Sequence, residues 1–219
     1  MDKLVNSNNG VELLDTIYQN LIDGIPKVSK PIEELAYDYV KRYKDPEIAI
    51  DKMVKNQLSK NTVNGFVSSF GGVITMPATL PVNLTSVIYV QMRMIAAIAT
   101  IRGYDIRNDE VQTFVYSCMV GNAISDTLKQ VGVQIGNKVT TKSIKKISGK
   151  TLTKINQAVG FRLITKFGTK GAVNLGKLVP VVGAGVGAAF DYTSTRIIAV
   201  RAKKVFVGDD VLDLSVFDK

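Results

Sequence analysis

The feature that most constrains the fold is a run of 32 consecutive uncharged residues between Lys60 and Arg93. A run of this length has to be hidden from water in a protein core, a bilayer or a partner. A bilayer-spanning helix needs about 20 mostly apolar residues, but Pro77 and Pro81 interrupt the run. A helix over 82–101 would restore the length, yet it would put Arg93 inside the bilayer at roughly 2.5 to 3.5 kcal/mol. The run therefore predicts buried apolar helical hairpins, with a membrane-inserting hairpin as the alternative.

Periodicity and helix-end signals predict an all-α fold, a single domain of about seven to nine helices. The first helix, opened by Asn8 or Asn9, carries apolar residues at helical spacing and ends at 24–26. Asp45 followed by Pro46 is a strong start signal for the third helix. Gly103 stands at the C-cap position of a long helix over 81–102. Other helices are predicted over 31–44, over 65–76 and from Asn108 onwards.

The chain is divided on these patterns into three parts. Residues 1–60 are predicted to form amphipathic helices that pack on the core, and residues 61–206 to form that helical core. Residues 207–219 form an acidic tail, expected to be loose or docked through Leu212, Leu214 and Phe217.

Composition excludes several kinds of site. The chain has no histidine, so histidine-dependent zinc sites, Ser-His-Asp triads and Cys-His dyads are excluded. Cys118 is the one cysteine and lies among apolar neighbours, which favours a small buried core residue over a nucleophile. We expect no catalytic residue, no metal and no cofactor. The N-terminus lacks a basic stretch followed by an apolar one, so the expected location is cytoplasmic.

The positive charge is concentrated in one third of the chain. The net charge is +9, and residues 128–190 hold 11 basic residues and no acidic one. Within 139–167, apolar residues at helical spacing face one way and a lysine stripe faces the other, which predicts a long basic amphipathic helix. Gly149 in its middle costs about 1 kcal/mol relative to alanine and permits a break. The stripe recurs every fourth residue and consists of Lys138, Lys142, Lys146, Lys150 and Lys154.

Three interpretations of the stripe remain open at this point. It is the solvated face of a core helix, although such a face usually mixes charge signs. It contacts an anionic membrane surface or lipid, at about 1 kcal/mol per lysine. It binds nucleic acid, an interpretation that the missing stacking aromatics and arginine cluster disfavour.

Arg93 needs a partner if the apolar helix around it is buried, because an uncompensated buried charge is costly. Asp191 is the favoured candidate, since it follows small residues four apart, Gly183 and Gly187, that allow close helix approach. Asp126 is the second candidate. In the alternative, Arg93 extends along its own aliphatic stem to the surface.

Several segments together resemble the EcsC family of bacterial proteins. The segments are Pro77-Ala-Thr-Leu-Pro81, the Gln91-Met-Arg93 helix closed by Gly103-Tyr-Asp105, and Val179-Pro-Val-Val-Gly-Ala-Gly-Val-Gly-Ala188. Thr79 departs from the aspartate of the family pattern. The resemblance covers roughly residues 60–206 and implies a helical, membrane-associated or lipid-related protein without a known catalytic set. The structural motif positions are Pro77, Pro81, Gln91, Arg93, Gly103, Pro180, Gly183, Gly187 and Asp191.

Three functional hypotheses follow. The first is a non-enzymatic helical protein, peripheral on the inner face of the cell membrane, that binds anionic membrane or lipid through the lysine stripe and glycine-rich apolar helices. The second is a lipid-modifying or hydrolytic enzyme that uses carboxylates, for which Asp105, Asp126 and Asp191 lie closest to the apolar segments. The third is an interaction module of a membrane transporter complex. The sequence does not indicate an oligomeric state.

Overall fold

A computed structural model describes residues 7–62, 82–133, 138–167, 183–208 and 211–213. Over these residues the fold is all-α, as the periodicity predicts. The helices are α1 Ser7–Asp23, α2 Ile32–Tyr43, α3 Pro46–Thr62, α4 Val82–Ile101, α5 Asp109–Val120, α6 Ser125–Gln130, α7 Thr141–Ile144, α8 Gly149–Phe167 and α9 Gly183–Val205. A 3-10 turn at Gly121–Ile124 joins α5 to α6, and three short strands are β1 Lys138–Thr140, β2 Phe206–Gly208 and β3 Val211–Asp213.

Helix α4 is the centre of the core. Every residue from Ile88 to Ala99 is buried, so this helix is covered on all sides. Its neighbours are α1, α2, α3, α5 and α9. The uncharged run therefore ends in a buried core helix, as predicted. The helix predicted over 65–76 lies outside the described residues, and so do Pro77 and Pro81. None of the described helices combines the length and the apolar character that crossing a bilayer requires.

The predicted helix ends are confirmed at two places. Asp45 caps α3, because its Oδ1 accepts a hydrogen bond from the Ile48 amide at 2.9 Å. Gly103 has a φ of 85°, a left-handed conformation that glycine adopts without strain. This conformation turns the chain after α4, and the Tyr104 amide donates to the Ala99 carbonyl at 3.0 Å.

The long basic helix predicted over 139–167 is not continuous. Strand β1, the single turn α7 and a connection over 145–148 precede α8. Two side-chain caps explain the interruptions: Thr140 Oγ1 accepts the Ser143 amide, and Ser148 Oγ accepts the Thr151 amide, each at 3.3 Å. A hydroxyl in this position satisfies an amide that has no partner in the first turn, so each cap favours a new helix start.

The acidic tail contributes the middle strand of a small antiparallel sheet of order β1-β3-β2. Lys138 lies opposite Asp213 and Phe206 lies opposite Leu212, with an irregularity between Phe206 and Gly208. The expectation of a loose or side-chain-docked tail therefore changes for 211–213, which is held by backbone pairing. Leu214 and Phe217 lie outside the described residues.

Helix α8 is fixed to the core along one face. Leu152, Ile155, Val159 and Leu163 are buried there, and α1 and α5 pack against the helix. Gly10 of α1 meets the α8 backbone so closely that a Cβ atom on it would lie 2.6 Å from the Gly160 carbonyl carbon. The two helices can cross at this distance only without a side chain at Gly10. This contact fixes which face of α8 looks outward.

Candidate basic surface

Four lysines of the predicted stripe are exposed, and we call them together the lysine surface: Lys142 on α7, Lys146 in the connection, and Lys150 and Lys154 on α8. All four side chains are exposed. Among the described residues, none of the four forms an ion pair with a carboxylate. From Lys138 to Lys166 the sequence contains no acidic residue at all. The segment therefore contains no carboxylate that could neutralise the charges of the lysine surface.

Two further lysines of the segment have different surroundings. Lys138 lies in β1, where its backbone is opposite that of Asp213. Lys145 lines a cavity of about 160 Å³ together with Asp105 and Glu110. The structure therefore brings four of the five predicted stripe residues into one segment of helix and turn and places the fifth, Lys138, in the sheet.

The outward face of α8 also contains an aromatic residue that the charge pattern does not reveal. At 100° per residue, Lys150, Lys154, Gln157 and Phe161 fall within about 60° of one another. The Phe161 side chain is 44% exposed. The signal in the sequence is its spacing, since Phe161 follows Lys154 by seven residues, or two helical turns.

A polar groove of about 730 Å³ lies beside this face, between α1 and α8. Its wall includes Asp15, whose Oδ1 accepts hydrogen bonds from the Tyr116 hydroxyl at 2.8 Å and from Gln112 Nε2 at 3.0 Å. Burial raises the pKa of Tyr116 above its usual value, so this phenol stays a neutral donor. The carboxylate is thereby held as an acceptor that links α1 to α5. The remaining lining residues are Val11, Glu12, Thr16, Gln19, Thr153, Asn156 and Gln157.

The described side chains do not form the carboxylate pair that the enzyme hypothesis requires. Asp105 and Asp126 are exposed, and every other described carboxylate is at least partly accessible to solvent. The Asp191 side chain lies outside the described set. No group of histidine, cysteine, aspartate or glutamate residues within the described ranges could hold a metal ion. Burial raises the pKa of the Cys118 thiol to about 12, which makes it a poor nucleophile at neutral pH.

The motif residues Gln91 and Arg93 lie inside the protein rather than at the lysine surface. Gln91 is 2% exposed and Arg93 is 4% exposed. Gln91 Nε2 donates to Thr195 Oγ1 at 3.1 Å, which joins α4 to α9. Arg93 Nη1 donates to the Tyr89 hydroxyl at 3.4 Å, and that hydroxyl is 2.6 Å from Ser29 Oγ. Gln91 therefore connects α4 to α9, whereas the Arg93 contact stays within α4, where Tyr89 in turn reaches Ser29.

The predicted partners of Arg93 are placed as follows. Asp126 lies exposed on α6, and no ion pair joins it to Arg93 within the described part of the chain. Asp191 belongs to α9, but its side chain is outside the described residues. Burial lowers the pKa of the Arg93 guanidinium, while the Tyr89 hydroxyl favours its charged form.

The remaining motif residues lie at or near the start of α9. Gly183 is the first residue of α9 and Gly187 lies within it, whereas Pro180 is outside the described residues.

Comparison with known proteins confirms the resemblance that these motifs indicate. No curated protein and no solved structure matches the chain. The EcsC protein family, in contrast, matches over residues 26–207. This match covers α2 to β2 and includes both the buried motif residues of α4 and the lysine surface. A match over most of the chain establishes membership, and the protein belongs to the EcsC family.

Proposed function

We propose that this protein binds peripherally to anionic membrane surfaces and that the lysine surface makes the contact. The observation that carries the proposal is the exposure of Lys142, Lys146, Lys150 and Lys154 without a described carboxylate partner, in a segment without acidic residues. The protein acts without catalysis in this proposal and is located on the inner face of the cell membrane, where anionic lipids attract polybasic segments.

The expected electrostatic contribution is large enough to matter. Each lysine near an anionic surface contributes about 1 kcal/mol, so four contribute roughly 4 kcal/mol, or about a thousandfold in affinity. Part of this gain is lost as salt screens the charges, because the Debye length is about 8 Å at physiological ionic strength. Binding should therefore weaken steeply between low salt and 0.5 M salt.

Membrane lipid is favoured over nucleic acid by the chemistry of the surface. All four residues are lysines, which act as point charges on a diffuse anionic surface, whereas sequence readout of nucleic acid relies strongly on bidentate contacts of arginine with the bases. Single-stranded nucleic acid would also need several stacking aromatic residues, and the described outward face of α8 has one phenylalanine. The carboxylate enzyme and the transporter-complex module remain predictions from the sequence.

Vesicle co-sedimentation tests the proposal directly. The native protein should bind vesicles containing phosphatidylglycerol at least tenfold more tightly than vesicles of phosphatidylcholine alone. A variant with Lys142, Lys146, Lys150 and Lys154 all replaced by Gln should lose most of this preference. The matched control replaces four exposed lysines elsewhere, Lys27, Lys41, Lys44 and Lys52, by Gln and removes the same charge.

The control variant should retain most of the binding. Equal binding to both kinds of vesicle by the native protein contradicts the proposal. Equal losses in the two variants also contradict it, since they would show that net charge acts without a defined surface.

A further inference from the structure

We infer that Phe161 inserts into the membrane interface, so that α8 lies along the bilayer surface with Lys150, Lys154 and Phe161 directed towards the lipid. This inference rests on the proposed function and deepens it. It adds an apolar anchor and a definite orientation, because charge attraction alone does not fix how the protein lies on the membrane.

The geometry of α8 supplies the first argument. The helix is fixed to α1 and α5 by its buried face, so its outward face cannot turn away. On that outward face, Phe161 lies in line with Lys150 and Lys154, and its side chain is 44% exposed. From Lys150 to Phe161 the helix extends by 11 residues, or about 17 Å. Both lysines and the phenyl ring can therefore touch one flat surface at the same time.

The charges of the segment that contains Phe161 supply the second argument. The acidic residues Glu12 and Asp15 belong to α1 and line the groove beside α8. Single exposed apolar residues are common and need no explanation. What distinguishes Phe161 is the absence of any acidic residue from Lys138 to Lys166. An anionic surface can therefore approach the ring without repulsion from this segment. Amphipathic helices that lie in the interface place apolar side chains about 5 to 10 Å into the boundary between headgroups and acyl chains.

Tyr37 is an exposed aromatic residue whose surroundings do not favour docking on an anionic surface. Its side chain is 62% exposed on α2, and Lys41 lies 5.7 Å from its ring centroid. The same helix, however, contains Glu33, Glu34 and Asp38. Tyr37 thus combines exposure and a nearby lysine with acidic neighbours, which makes it a matched control for Phe161.

The absence of tryptophan allows a clean measurement. The Phe161→Trp and Tyr37→Trp variants each contain a single tryptophan, so all indole fluorescence reports on one position. With vesicles containing phosphatidylglycerol, the tryptophan at position 161 should shift its emission to the blue by about 10 nm or more, as indoles do on leaving water. Brominated acyl chains should quench it. The tryptophan at position 37 should show neither effect, and the Tyr37→Trp variant should bind as the native protein does.

A removal variant completes the test. Phe161→Ser should weaken vesicle binding about fivefold to tenfold, the amount expected for an aromatic side chain that leaves water only in part. The weak binding of the native protein that remains at 0.5 M salt should disappear. Unchanged far-ultraviolet circular dichroism serves as the folding control, and Tyr37→Ser should bind like the native protein.

The outcomes separate this inference from the proposed function. If position 161 shows no shift and no quenching while the lysine variant loses binding, the docking proposal stands and insertion is wrong. If tryptophan at position 161 is shifted equally by soluble heparin, the ring is shielded by a bound polyanion and insertion into lipid is also wrong. If the native protein does not prefer anionic vesicles, both proposals fail.

Discussion

Two sets of basic residues in this protein have different surroundings. Some cations elsewhere in the described chain form ion pairs: Arg107 contacts Glu33 at 3.1 Å, and Lys203 contacts Asp51 at 2.7 Å. The lysine surface has no such partner among the described carboxylates. The paired cations join elements that are distant in sequence, α3 to α9 among them. The paired cations therefore contribute contacts within the fold, and no such contact is described for the lysine surface.

One paired cation also differs from the lysine surface in burial. Arg102 is the most buried of the paired cations, since only 9% of its side chain is exposed. Its Nη1 donates to the Lys203 carbonyl at 2.7 Å and to the Phe206 carbonyl, and its Nη2 pairs with Glu47. The residues of the lysine surface, by contrast, are exposed. A charge in the first setting is tied to several partners and is costly to remove, whereas a charge in the second is not.

Replacing Arg102 should have the largest effect on stability. Arg102→Met leaves two carbonyls and Glu47 without their donor, so the free energy of unfolding should fall by about 3 kcal/mol. Urea unfolding followed by circular dichroism measures this. Arg107→Met breaks an exposed pair and is the control, with an expected loss below about 1 kcal/mol. Similar losses of unfolding free energy in the two variants would mean that burial does not determine how much each arginine contributes to stability.

Replacing Arg93 should have a smaller effect, although this arginine is also buried. Gln91 points to α9, and Arg93 lies two residues later, about 200° around the helix, so it faces away from α9. Its described partner is the Tyr89 hydroxyl at 3.4 Å. Because burial disfavours its charge, Arg93→Met should change the free energy of unfolding by less than about 1 kcal/mol.

A double-mutant cycle with Asp191→Ala checks the pairing that the sequence favours. We expect additive effects within about 0.5 kcal/mol, because the two side chains are not in contact if Arg93 faces away from α9. A coupling above about 1 kcal/mol would show that Asp191 is the partner after all, whereas a loss of about 3 to 5 kcal/mol for Arg93→Met alone would show only that Arg93 has a charged partner.

The smallest stability change should come from the lysine surface itself. Replacing Lys142, Lys146, Lys150 and Lys154 by Gln should alter the free energy of unfolding by less than about 0.5 kcal/mol, since no described ion pair is lost. Relief of repulsion between like charges should make any change favourable. Urea unfolding measures this change as well. A clear loss of stability would show that these lysines stabilise the fold as the paired cations do, which would contradict the comparison.

The sequence predicts most of the framework because its signals are local. Asp45 with Pro46 and Gly103 mark helix ends through their own backbone preferences, and the structure confirms both. The burial of Arg93 also follows from the sequence, because the residues around it are apolar on every side of the helix. The partner of a buried group depends on which elements pack together, and a single sequence does not supply that information.

The basic segment shows why periodicity alone fails. Spacing predicts one helix over 139–167, but the hydroxyls of Thr140 and Ser148 cap two separate starts. A cap contributes about 1 kcal/mol at one position, while periodicity adds up weak preferences over many residues. The sheet was also not predicted, because strands of three residues are too short to show an alternating pattern.

The order of that sheet has a practical consequence for anyone who expresses this protein in pieces. Strands β1 and β2 do not pair with each other, and each depends on β3 for its hydrogen bonds. The family match ends at residue 207, four residues before β3 begins. A truncated chain designed on the family boundary would keep β1 and the first two residues of β2 but discard Gly208 and the whole of β3. The start of the basic segment would then lose its connection through β3 to the end of α9. An expression boundary beyond residue 213 keeps β3 and both of its strand pairings.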